Sequence, residues 1–101
     1  MLDTAALTDI RGYIKRRVSY ARYRVGSTYY RTDLTDVEYV GSNTVRARLS
    51  IIPSGTVTVN RVELWSSAGE LWAHQDCNIT VSTGETGILF WFDFTITEKE
   101  G

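Results

Sequence analysis

The chain has 101 residues, 43% of them apolar and 23% charged, which is a globular composition for one domain spanning residues 1–101 and excludes disorder. No apolar run approaches the roughly 18 residues of a membrane span, no basic start with an apolar block marks a secretory signal, and the single Cys77 excludes an internal disulfide framework. The net charge of −1 is segregated: residues 1–31 carry seven basic and two acidic side chains, residues 32–101 four basic and ten acidic. A basic head on an acidic body points to nucleic acid or to an acidic neighbour, which can be another copy of the chain; the head also neutralises its own body.

In chain order, residues 4–18 predict an amphipathic helix. Leu7, Ile10, Ile14, Val18 and Ala21 recur every three or four residues, with Asp3 or Thr4 as the cap. Arg11, Lys15 and Arg16 occupy the opposite face. From about residue 20 to 97 the pattern is antiparallel β. Tyr20–Val25 and Thr28–Arg31 flank a Gly26-Ser27 turn, and Thr35–Val40 ends at Gly41-Ser42-Asn43. Val45, Ala47, Leu49 and Ile51 alternate with Arg46, Arg48 and Ser50, and Pro53-Ser54-Gly55 breaks that strand. Val57 and Val59 face one way and Val62 and Leu64 the other, so a β-bulge is expected near Asn60-Arg61. Ile88, Phe90, Phe92, Phe94 and Ile96 share one face of the last strand, which predicts a central strand. The expected fold is mainly β, an antiparallel β-sandwich or small barrel with one N-terminal amphipathic α-helix.

Residues 62–76, VELWSSAGELWAHQD, repeat Glu-Leu-Trp around Ser66-Ser67-Ala68-Gly69, with Gly69 as the left-handed turn residue. Two registers compete. A four-residue loop sets Trp65 opposite Glu70 and Leu64 opposite Leu71. A three-residue loop with a bulge shifts the pairing by one and puts the tryptophans on opposite faces. Burial favours the first, because it gathers Val62, Leu64, Leu71 and Ala73 inward and leaves Glu63, Trp65, Glu70 and Trp72 outward. Those four side chains, with Trp91, are candidates for a subunit interface or for stacking against a sugar. Cover by the helix or a second sheet is the structural alternative.

Catalytic chemistry has few carriers. His74 is the only histidine and reads, with Asp76, as a surface pair; Cys77 reads as a small core residue. No cofactor or metal is expected, and Gly84-Glu85-Thr86-Gly87 reads as a turn because no Lys-Ser/Thr follows it. IKRRVSYARYRVGSTYYR, with Tyr13 just before it, interleaves five tyrosines with cations and makes Arg11, Lys15, Arg16, Arg22 and Arg24 a candidate basic contact surface. The same alternation builds an ordinary amphipathic strand, and the acidic body weighs against nucleic acid.

The order of segments, a short helix leading into YARYRVGSTYYRTDL, then VNRVELWSSAGELWA and a final TGILFWFDFTI, resembles small β-rich tail-fibre and baseplate-associated structural proteins of phages and prophages of Gram-positive bacteria. The resemblance spans most of the chain and rests on strand and turn phrasing. It implies a non-enzymatic virion component, assembled in the bacterial cytoplasm as a trimer or larger ring with other tail proteins. It transfers no site residue. A carbohydrate-binding module using Trp65, Trp72 and Trp91, and so a cell-surface sugar as partner, is the alternative function.

Overall fold

The computed structural model describes residues 3–53, 55–82 and 87–97. Its elements are α1 (Thr4–Arg17), β1 (Val18–Val25), β2 (Thr28–Val40), β3 (Thr44–Ile51), β4 (Val57–Ser66), β5 (Leu71–Val81) and β6 (Ile88–Thr95). The six strands are antiparallel and run in the order β5-β4-β1-β2-β3-β6, a nearly closed, barrel-like sheet. Ser54 and Gly84-Glu85-Thr86, read as turn residues, lie outside the described residues.

Helix α1 passes into β1 with no linker, because Val18 is already extended. Lys15, Arg16 and Arg17 fill its last turn, where cations meet the negative end of the helix dipole. Asp3 occupies the cap position without a side-chain cap bond, so the capping expected from the sequence is absent. In β1, a register shift around Ser19 lets Val18 and Ala21 both point inward, and Tyr20, Arg22 and Arg24 take the outer face.

Thr28–Arg31 and Thr35–Val40, read as separate strands, form one strand of 13 residues. A register shift between Leu34 and Asp36 bends β2, so its first half pairs with β1 and its second with β3. A bulged strand that changes partners is how a sheet turns a barrel corner. The expected bulge in β4 is also present, between Val59 and Arg61.

The core follows the alternation of β3: Val45, Ala47, Leu49 and Ile51 are fully buried, joined by Ala21, Val59, Val62, Leu64 and Val81. Strand β6 corrects the sequence reading. Among the described residues it pairs with β3 alone and is an edge strand, not a central one. Its Phe90 and Phe92 still face inward and pack on the core. Between β5 and β6 the barrel closes through side chains: Trp72 of β5 meets Phe94 of β6 edge-on at 6.1 Å. One end is covered by α1. Ile14 packs on the Val18, Ala47 and Leu64 cluster, and Ser67 N–H donates to the Arg17 carbonyl at 2.8 Å.

Candidate interaction surfaces

The tryptophan hairpin adopts the register that burial disfavoured. Ser66 N–H donates to the Glu70 carbonyl, Gly69 N–H donates to the Ser66 carbonyl, and Gly69 has φ +76°. That is a three-residue loop with a left-handed glycine. Trp65 therefore opposes Leu71, and a further shift at Trp72 sets Leu64 opposite Ala73, a pairing that neither expected register contains. The physical reason is area. Turning Trp72 inward buries a larger surface than Leu71 would, and Leu71 is left 41% exposed. Trp72 lies between Phe94 and Tyr13 of the helix, whose ring stacks on it at 6.3 Å. The outward Trp65/Trp72 pair expected from hairpin symmetry does not exist.

Glu63, expected outside with the tryptophans, is 3% exposed. It still lies on the outer face, beneath long side chains. One carboxylate oxygen accepts from Arg22 Nε (3.1 Å), Arg22 Nη2 (2.9 Å) and Trp65 Nε1 (3.0 Å), and the other from Arg61 Nε (2.9 Å). Burial alone would raise this carboxyl; the donations from Trp65, Arg22 and Arg61 overcome it and hold it below the usual carboxylate range. Around Glu63 the rings and cations alternate. Trp65 stacks on Tyr20 at 6.1 Å, Arg22 lies over Trp65 and Tyr29, and Arg31 lies over Tyr20 at 4.0 Å. Tyr29, Arg31 and Arg61 were not singled out in the sequence. The alternating Tyr and Arg of β1 and β2 was their signal, since cross-strand register stacks such residues in rows.

The candidate basic surface divides. Arg11 and Lys15 sit over the Tyr39 ring beside the β2–β3 turn, where Arg11 Nη1 donates to the Gly41 carbonyl at 3.4 Å. Arg16 is exposed on the helix. Arg22 is committed to Glu63, and Arg24 donates to Asn60 at 2.7 Å. Arg22 and Arg24 thus belong to an outer-face network of the barrel, apart from the helix cations.

Glu70 is exposed in the hairpin loop. Of the three tryptophans, Trp91 is the one left 47% exposed, on the outer face of β6 beside Leu89 at 51%. Leu89, Phe90 and Trp91 line a shallow hollow of about 200 Å³. Arg46 reaches over Trp91 at 5.2 Å and is held by Asp93 through two bonds of 2.8 and 3.0 Å, so this face carries a matched ion pair.

His74 and Asp76 are exposed, and Asp76 contacts Arg61 at 3.5 Å. Cys77 is half-buried, its Sγ donating to the Val59 carbonyl at 3.5 Å; burial, then the Asp76 charge, push the thiol up. Among the described residues no group of three His, Cys, Asp or Glu side chains could hold a metal ion, and no helix is long and apolar enough to cross a membrane. In comparisons with known proteins, no family model, curated protein or solved structure matches this chain.

Proposed function

We propose that this chain is a structural assembly protein that self-associates through an aromatic surface, the role performed by a fibre or baseplate component of a phage or prophage tail. The observation that carries this proposal is the outer face of β6. Leu89 and Trp91 stand two residues apart on an edge strand, each about half exposed, and among the described residues only the Arg46 guanidinium reaches over the Trp91 ring. Large apolar side chains paired in this way on a sheet edge are a feature of interfaces. The neighbouring cations are each paired, Arg46 with Asp93 and Arg48 with Asp36 and Glu38, so among the described residues the face holds no free cation and one carboxylate in excess. The resemblance of the strand phrasing to tail proteins supplies the setting: a virion, with a trimer or ring of copies and other tail proteins as neighbours.

The double variant Leu89→Ser/Trp91→Ala tests the surface. Both side chains point away from the core, so the variant is expected to keep its fold by circular dichroism and to have a lower mass than the parent by light scattering after size exclusion. An unchanged mass in a folded variant would place the interface elsewhere.

A further inference from the structure

The end of the barrel opposite the helix holds a hollow of about 300 Å³, lined among the described residues by Tyr23, Val25, Tyr30, Ile52, Pro53 and Val57. Its floor comes from the β1–β2 hairpin. Tyr23 and Tyr30 face each other across the two strands, near the Gly26-Ser27 turn, and their rings stack at 5.3 Å with a 21° tilt. Tyr30, 46% exposed, and Ile52, 68% exposed, form the rim.

We propose that this mouth binds one ring of a neutral saccharide. The chemistry of the lining excludes the other classes in turn. Among the described residues no charged side chain lines the hollow, so these offer no counter-charge to an anion or a cation. Two tyrosines, Tyr23 and Tyr30, line the site. The Tyr29 hydroxyl meets Arg24, whereas those of Tyr23 and Tyr30 have no hydrogen-bond partner among the described residues. A wholly apolar ligand would strip both of water and return nothing. Burial, and secondarily Tyr30, push the Tyr23 phenol up, so it remains a protonated donor through the ordinary pH range. A pyranose ring supplies what this lining lacks: C–H faces for the tyrosine rings and for Val25, Ile52, Pro53 and Val57, and hydroxyls for the two phenols. Mouths of β-barrels are a recurrent place for such sites, and the volume suits a single ring.

This site is distinct from the β6 surface, so its failure would leave the assembly proposal standing. The test is NMR titration with glucose, galactose and N-acetylglucosamine separately, up to tens of millimolar, observing the ring resonances of Tyr23 and Tyr30. The expected result is saturable movement of both rings with at least one sugar. Tyr30→Phe, folded by circular dichroism, should weaken binding roughly five- to tenfold, as loss of one hydrogen bond does. Trp91→Ala should leave affinity unchanged. Silence of both rings with all three sugars would overturn the proposal. So would undiminished binding by Tyr30→Phe, loss of binding in Trp91→Ala, or movement of the rings by indole but by none of the sugars.

Discussion

Replacing Glu63 with Gln removes one negative charge from the most connected polar group on the outer face and leaves its shape in place. Four N–H groups converge on the carboxylate, from Arg22 twice, Arg61 and Trp65. An amide keeps one oxygen. If it stays beneath Arg22 and Trp65, three donations survive, those of the still cationic Arg22 without their counter-charge and that of Trp65 as a neutral bond, and the amide N–H₂ then faces Arg61 Nε, donor against donor. Charge-assisted bonds contribute about 1.5–3 kcal/mol and neutral ones about half that, and a donor left without an acceptor costs about 1–3 kcal/mol. Arg22 remains 32% and Arg61 19% exposed, so water recovers part of both. The expected net loss is about 3 kcal/mol, which for a domain of this size lowers Tm by about 10–20 °C. Urea unfolding followed by tryptophan fluorescence measures it. Asp76→Asn is the control: its 72% exposed carboxylate makes one 3.5 Å contact to the same Arg61, and loss of so exposed a pair costs under about 1 kcal/mol. The pH dependence gives a second check. Because the folded carboxyl lies below its unfolded value, its contribution is complete above the ordinary carboxylate range and is lost as pH falls through the lowered folded value. The gap between parent and variant should therefore close in acid. A variant within about 0.5 kcal/mol of the parent at neutral pH, or a gap that persists in acid, would refute the proposed role of this network.

Gly87→Ala should destabilise by about 2–3 kcal/mol, read by the same urea titration, because φ is +94° and a Cβ would lie 2.5 Å from the Ile51 carbonyl oxygen. A neutral effect would mean that β6 does not enter the sheet against the end of β3. Trp72→Ala should cost about 2–3 kcal/mol and release α1, seen as faster amide exchange over residues 4–17, since the ring is held between Tyr13 and Phe94. Unchanged exchange in α1 would show that the helix docks without this contact.

Local patterns in the sequence carried the elements that depend on them. The expected bounds of α1 fell within a residue of those observed, although the apolar spacing ran on through Val18 and Ala21, which belong to β1, and Ile10 is left exposed. The strict alternation of β3 named its buried face, and the phase change at Asn60-Arg61 located the β4 bulge. The errors arose where several elements decide together. Hairpin register depended on whether Trp72 or Leu71 would be buried, and the helix and β6 supplied the pocket that favoured Trp72. Four inward apolar positions on β6 describe a strand that faces the core; whether another strand pairs beyond it is a matter of topology, which alternation does not encode. Glu63 looked exposed because its strand phase is outward. Its burial comes from Arg22, Arg61 and Trp65 closing over it, and only the cross-strand register brings Arg22 beside it. Of the candidate interface residues, Trp91 kept the exposure expected of it, and Trp65 and Trp72 were taken up by contacts within the chain.

Self-association is tested most directly by the solution mass of the unmodified chain, by light scattering after size exclusion over a hundredfold range of protein concentration and at low and high salt. The assembly role predicts a mass that is a whole multiple of 11.4 kDa, three or more copies, held at the upper concentrations and only weakly changed by salt because the Leu89–Trp91 contact is apolar and the arginines beside it are already paired within the chain. A single-chain mass at every concentration and salt would contradict it.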